Sequence, residues 1–546
     1  METPQPDPPA NDAQPSASLP PEPRPSHQPQ PFPSTGQRPP PGPPGPPGWP
    51  AQAGPPGVAP WPQPPRPLFV AEPRLVVRSR ADGRLVIAAL AIGVCFDIAA
   101  HSGLASIAAT VAVIAAAAGL LLGGRIHGRT SPVLLVAAAV FGLTFTFRAS
   151  PWVIVPAAFA VAFLLLLGAS LGADGGGLAG TFAGLGTRIA VVFAHLINAP
   201  GMFYFKGESA QDTIARKWGI SVLRGAAIGV PIMLIVGLLL GSADPIFKSW
   251  FDPRLVFQHL LLVVVGAWII VGLARAASAE VPLPKLSSAP SLGTVEVAIV
   301  LGGLCALYAA FVIAQFVALS GAGHRILVTH GLTYAQYARS GFFGLLACAG
   351  ITLLVLLGVR ACVKAENPVI SSVSALTAAL TLGVVIVAFR RLQLYEAAFG
   401  LTMLRLACFV VAVWIGVVFV LLAATILPKG LPRKRFPATF IVAGLLVVAL
   451  WAACDPAAIV ANTNLGRAER GRSLDVASVV SLGPDAVPSV LPRLAYLPPG
   501  ERAALHLGIC VESREKDDGT AFNLARFDAS MLTRYCPSRS AGWETW

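Results

Sequence analysis

The chain has 546 residues, 55% of them hydrophobic and only 12% charged, with a mean hydropathy of +0.68. Soluble globular chains carry about a quarter charged residues, so an ordinary soluble domain is excluded. The formal net charge of +13 suggests nucleic acid, but basic residues also collect in cytoplasmic loops of membrane proteins; here they alternate loop by loop, and no nucleic-acid partner is expected.

Residues 1–80 come first. Positions 1–70 hold 27 of the 49 prolines, and a stretch such as RPPPGPPGPPGWP (38–50) cannot build a core. Such a segment is expected to be a disordered, polyproline-biased cytoplasmic tail. A solvated tether is one reading, and a PxxP docking site for a protein partner is the other. No apolar stretch follows the start, so no signal peptide is expected.

Residues 81–454 read as the membrane region. Apolar runs of about 20 residues recur, each able to cross a hydrocarbon core of about 30 Å as a helix. In lipid the backbone must satisfy its own hydrogen bonds, which leaves helix as the conformation for such runs. Eleven spans are expected, at about 85–100, 104–122, 131–147, 152–170, 221–240, 255–273, 294–319, 340–360, 369–389, 401–427 and 437–454. With the N-terminus inside, the inner segments carry 18 basic residues and the outer loops 7, which argues for a cytoplasmic N-terminus and an extracytoplasmic C-terminus. The stretch TRIAVVFAHLINAPGMFYF (187–205) is nearly long enough to cross. His195, Asn198 and Pro200 in its middle make it an expected interfacial or partly re-entrant helix instead.

Residues 455–546 turn polar and carry short helical patterns. Asp455 followed by Pro456 is a helix-start signal, and PDAVPSVLPRL and PGERAALHLGICVESREKDD open further helices. A small extracytoplasmic helical domain is expected. The fold class is therefore all-α: a polytopic bundle of about eleven helices, with a disordered tail and a small C-terminal helical domain.

Ionisable groups within a span each cost about 2.5–3.5 kcal/mol, so each needs a partner or water. Asp97 and His101, one turn apart, read as a helix-end carboxylate solvated at the interface, or as an outward-facing acid–base pair. Asp244 and Asp252 each precede proline and read as helix caps, with metal or substrate binding as the alternative. Arg339 is expected to snorkel beside the belt tyrosines Tyr334 and Tyr337. In RRLQLYEAAFGLTMLRL (390–406), a continuous helix puts Arg391, Tyr395, Thr402 and Arg405 within about 80°, with Glu396 opening the next face. Arg405 is expected to point into the bundle and reach an acidic or carbonyl partner, with snorkelling to headgroups as the alternative. Cys510 and Cys536 lie in the outer tail, where a disulfide is one outcome and two free thiols the other. No CxxC or Cys/His cluster at metal spacing occurs, nor a GxSxG, Walker or HExxH motif, so no metal, cofactor or catalytic residue is expected.

CFDIAAHSGL (95–104), FRASPW (147–152), LLLGSADPIF (238–247), AQFVALSGAG (314–323), TYAQYARSGFFGLL (333–346), LYEAAFGLTMLRL (394–406), DPAAIVANTNLGRA (455–468) and LGPDAVPSVLPRL (482–494) follow in order. Together they resemble a bacterial multi-pass membrane family known only as a domain of unknown function, of the 4153/4173 type. The resemblance covers roughly residues 85–495 and implies an envelope protein of the plasma membrane without assigned activity. Function stays open at this level. A non-enzymatic scaffold, sensor or assembly factor is the leading expectation; a small-solute transporter and a transferase acting on a lipid-linked substrate, with Asp97 as its acid, are the others.

Overall fold

The computed structural model describes residues 83–123, 128–172, 180–199, 253–278, 293–319, 342–363, 368–426, 430–512 and 519–534, and the single positions 126, 178, 229, 232, 233, 236 and 536. The proline-rich tail, the expected span at 221–240 apart from the four of those positions within it, and Asp244, Asp252 and Arg339 lie outside the described residues.

Among the described residues no strand occurs. Helices α1 (Gly83–Ser102), α2 (Ile107–Gly123), α3 (Thr130–Gly142) with its one-turn continuation α4 (Thr144–Phe147), α5 (Pro151–Ser170), α6 (Phe182–Ile197) and α7 (Pro253–Ser278) form a first group. Helices α8 (Thr294–Leu319), α9 (Phe342–Cys362), α10 (Pro368–Phe399), α11 (Met403–Ala424) and α12 (Phe436–Ala453) form a second. The chain then leaves the bundle through α13 (Pro456–Ala468), α14 (Val476–Val480), α15 (Val487–Val490), α16 (Pro499–Glu512) and α17 (Leu524–Leu532), which make a cap.

Among the described residues, nine helical segments are long and apolar enough to cross a membrane: Leu85–Ser102, Thr130–Phe147, Pro151–Ser170, Leu255–Ser278, Thr294–Gln315, Phe342–Arg360, Pro368–Phe399, Met403–Ala424 and Arg433–Ala453. The chain is an integral, multi-pass membrane protein. The expected span at 104–122 is α2, which at 17 residues only just reaches the ~17–25 that a crossing takes. Of the stretch 187–205, positions 200–205 lie outside the described residues, and 187–197 lie on α6, 16 residues that begin at Phe182 and end at Ile197. Thr181 starts it, its side chain accepting the Gly184 N–H at 3.1 Å. Apolar side chains such as Ile87, Phe159, Leu354 and Ile386 point outward and exposed, the surface a helix presents to lipid rather than to water.

Helices in lipid gain little from hydrophobic exclusion of one another, so they associate through close packing and interhelical hydrogen bonds. Both devices are present. The Thr110 hydroxyl donates to the Gly142 carbonyl at 2.8 Å and Ser131 to Gly168 at 2.7 Å, joining α2 to α3 and α3 to α5. Where α1 crosses α7, Gly93 and Gly266 face each other. A Cβ on Gly93 would lie 2.3 Å from the Val263 carbonyl oxygen, and one on Gly266 would lie 3.0 Å from the Gly93 Cα. Only glycine permits that crossing. The second group packs around Leu301, Leu356, Phe419 and Leu422, all fully buried. Helix α12 bridges the groups: Ile441 joins the core of Leu134, Leu164 and Leu167, while Phe436 joins that of Phe419.

Candidate functional site

Polar side chains concentrate where the cap meets the bundle. The cap shares one core with the start of α11, in which Leu401 and Met403 pack with Val460, Leu465, Val490 and Leu505. Around that core, side chains bond backbone. Helix α5 starts at Pro151, yet the side chain of its N-cap Ser150 makes no capping bond. Asp485 of the cap holds the chain just ahead of α5, accepting the Ser150 N–H at 2.5 Å and the Ala149 N–H at 3.1 Å. An N-terminus attracts a carboxylate, since its first N–H groups lack partners within the helix. Burial raises the Asp485 carboxyl above its ordinary pKa, against the two backbone N–H bonds that lower it. The Asn523 amide donates to the carbonyls of Phe145 at 3.0 Å and Arg148 at 2.8 Å. Arg526 donates to Ala105, and the Ile107 N–H to the carbonyl of Phe522, both at 2.8 Å.

Arg148 works in the opposite direction. It donates to the carbonyls of Ala452 at 3.0 Å and Ala453 at 3.3 Å, closing the end of α12, and it pairs with Asp455. Asp455 also accepts the Ala458 N–H at 3.1 Å, so it starts α13 as the sequence leads one to expect. Its φ of +51° makes it the one non-glycine residue with a left-handed backbone among the described residues. Aspartate is among the few residues that tolerate this region, and here bonds on both sides hold it there. An open cleft of about 610 Å³ lies beside the pair, with Phe147, Arg148, Asp455, Asp485 and Asp528 on its walls.

The 390–406 segment differs from a continuous helix. Helix α10 ends at Phe399, Gly400 takes φ +82°, and α11 starts at Met403 with Thr402 as its N-cap, accepting the Arg405 N–H at 3.3 Å. Thr402 therefore caps a helix rather than extending a stripe. Arg405 folds back across the break: its guanidinium donates to the Gly400 carbonyl and lies over the Tyr395 ring, 4.2 Å from the centroid. Arg391 reaches Gln315 of α8 at 3.3 Å. Glu396 contributes its backbone carbonyl, which accepts the Gly400 N–H at 2.8 Å. The cap closes over this break as well. Asn464 pairs with both backbone groups of Leu401, at 3.0 and 2.7 Å, and Arg467 donates to the carbonyls of Ala397 at 2.8 Å and Ala398 at 3.3 Å, the free end of α10.

Asp97 departs from the solvated helix-end carboxylate. It is 7% exposed and meets two imidazoles. His259 of α7, distant in sequence, brings Nδ1 to 2.8 Å of its carboxylate, and His101 Nδ1 lies at 3.2 Å. The two rings stack with centroids 4.2 Å apart. The Gly93–Gly266 crossing is what lets α7 approach closely enough. At the far end of the cap, Cys510 and Cys536 are joined as a disulfide with Cα atoms 5.7 Å apart. His506 lies 3.9 Å from the Cys510 sulfur, but bonded sulfurs offer no thiolate to a metal.

The model of a family described as a domain of unknown function (DUF4153) matches residues 135–492. The chain belongs to this DUF4153 family. Neither the curated proteins nor the solved structures compared with it give a match. The DUF4153 match takes in Arg148, His259, Arg405, Asp455 and Asp485, and stops short of Asp97, His101, Asn523 and the cysteine pair. The sequence singled out Arg391, Tyr395 and Arg405. It did not single out His259, Asn464, Arg467 or Asp485 as site residues, because each acts on a group far away in the chain. The Pro that follows Asp455 and the Pro that precedes Asp485 were the available signals, and both mark only local helix starts.

Proposed function

We propose that this DUF4153 protein is a non-enzymatic scaffold or assembly factor of the bacterial plasma membrane, with its N-terminus inside and its cap outside. One observation carries the reading. Asp485, Asn523, Asn464 and Arg467 of the cap are used in holding it to the bundle, while two of its helices leave apolar side chains exposed one turn apart: Leu507 and Val511 on α16, Phe527 and Met531 on α17. Polar groups engaged with backbone are poorly placed to act on a substrate, and apolar pairs on a fixed support suit a protein partner. The 18-to-7 distribution of basic residues supports the orientation.

A photo-reactive residue at Val511 or Met531 should give discrete protein adducts in intact cells, and one at Arg470, exposed on the same cap, should not. Alkaline phosphatase fused after Trp546 should be active. Equal labelling at all three positions, or a silent phosphatase beside an active cytoplasmic reporter, overturns the reading. The cleft beside Arg148 and Asp455 favours small-solute binding as a second function. Solute flux through vesicles holding the purified protein, lost in Arg148→Ala, would move that function to first place.

A further inference from the structure

We propose that Asp97, His101 and His259 form a binding site for a zinc-like divalent cation that ties α1 to α7 at the cap side of the bundle. The donor set is two imidazole nitrogens and one carboxylate, the ligands zinc takes where one position is left for water. Zinc–nitrogen and zinc–oxygen bonds of about 2.0–2.2 Å in tetrahedral geometry place neighbouring ligand atoms about 3.3 Å apart. The observed separations are of that size: His101 Nδ1 to the Asp97 carboxylate is 3.2 Å, His259 Nδ1 to the same carboxylate is 2.8 and 3.0 Å, and all three ligand atoms lie within 4.8 Å of one another.

Three further features point to a cation rather than to a simple ion pair. Both imidazoles turn the same nitrogen, Nδ1, toward one carboxylate, and they do so while stacked. A divalent cation would be held by both nitrogens and the carboxylate at once. The carboxylate is buried, but the imidazole side chains are 38% and 49% exposed, which leaves an entry path and a free coordination position. The support is rigid as well: Asp97 stands one turn beyond Gly93 and His259 two turns before Gly266, the pair that locks the crossing. His101 Nδ1 also lies 3.0 Å from the Asp97 carbonyl of its own helix, a contact it gives up on ligating the ion.

The test uses the full-length protein, purified in detergent with a tag free of histidine, dialysed against Zn²⁺ and counted by mass spectrometry. One zinc per chain is expected. His259→Gln and His101→Gln, both at exposed side chains, should each weaken binding by at least about 100-fold, the upper end of what losing a supporting residue costs a metal site. Cys510→Ser with Cys536→Ser should keep the full stoichiometry. Zinc should also raise the thermal midpoint of the native protein and leave that of His259→Gln unmoved. No zinc on the native chain, an unchanged stoichiometry in both histidine variants, or a loss confined to the cysteine variant overturns the proposal.

Discussion

Replacing Asp485 by alanine tests how the cap is held. The substitution removes the carboxylate that accepts the Ala149 and Ser150 N–H groups, just ahead of the first residue of α5. Ser150 is buried, and a buried donor left unpaired costs about 1–3 kcal/mol. An opening free energy lowered by about 1–3 kcal/mol is therefore expected for this junction, which amounts to roughly 5- to 150-fold faster local opening at 1.4 kcal/mol per tenfold. Hydrogen–deuterium exchange of the Ala149 and Ser150 amides in detergent-solubilised protein reads this directly. Asp485→Asn, which keeps one carbonyl acceptor, should give a smaller acceleration. If both amides exchange in Asp485→Ala as they do in the native protein, the cap is not held at this point and the reasoning fails.

Three more expectations follow from the same structure. Burial holds the Asp485 carboxyl above its ordinary value of 3.8, so the docked cap binds more protons than the undocked one. Its contribution is thus full below that value and lost as pH rises through the docked one; exchange at Ala149 should quicken with pH beyond the intrinsic rate, and Asp485→Asn should flatten the excess. Arg405→Leu removes both the bond to the Gly400 carbonyl and the contact with Tyr395, and should lower thermal stability by about 2 kcal/mol, whereas Arg390→Leu, at an exposed side chain that bonds Gln393 at 3.3 Å, should stay within about 0.5 kcal/mol. Equal midpoints for the two variants would contradict this. Reducing Cys510–Cys536 opens a loop with a separation of 26 residues and should cost the cap about 3.5 kcal/mol in the chain-entropy account, seen as faster proteolysis within 499–534.

Much of the bundle is legible in the sequence because its signals are local. A run such as FVVAVWIGVVFVLLAA in α11 satisfies its own backbone and is apolar on every side, so neither its length nor its conformation depends on a neighbour. Asp455–Pro456 likewise announces α13. Signals that act across the chain are the ones that stay hidden. Nothing near Asp97 indicates that His259, 162 residues on, will face it, and nothing near Ser150 indicates a bond to Asp485, 335 residues away. The break at Gly400 lies between these cases. Extending the helix through it produced an apparent stripe, while glycine followed by Thr402 two residues on is a stop-and-restart signal readable from the sequence itself.

The lock between cap and bundle is asymmetric. Asp485, Asn523, Asn464 and Arg467 address backbone N–H and C=O groups, which every amino acid but proline carries in full. The side chains of residues 149, 397 and 398 take no part in these bonds, whereas Arg148 pairs with Asp455 and Leu401 packs in the core shared with the cap. At the first three positions docking depends on the course of the backbone, so they can be substituted provided that course is kept and no proline replaces the donor at 149. The same freedom does not extend to the cap, where one altered side chain undoes a bond that no residue on the other side can restore.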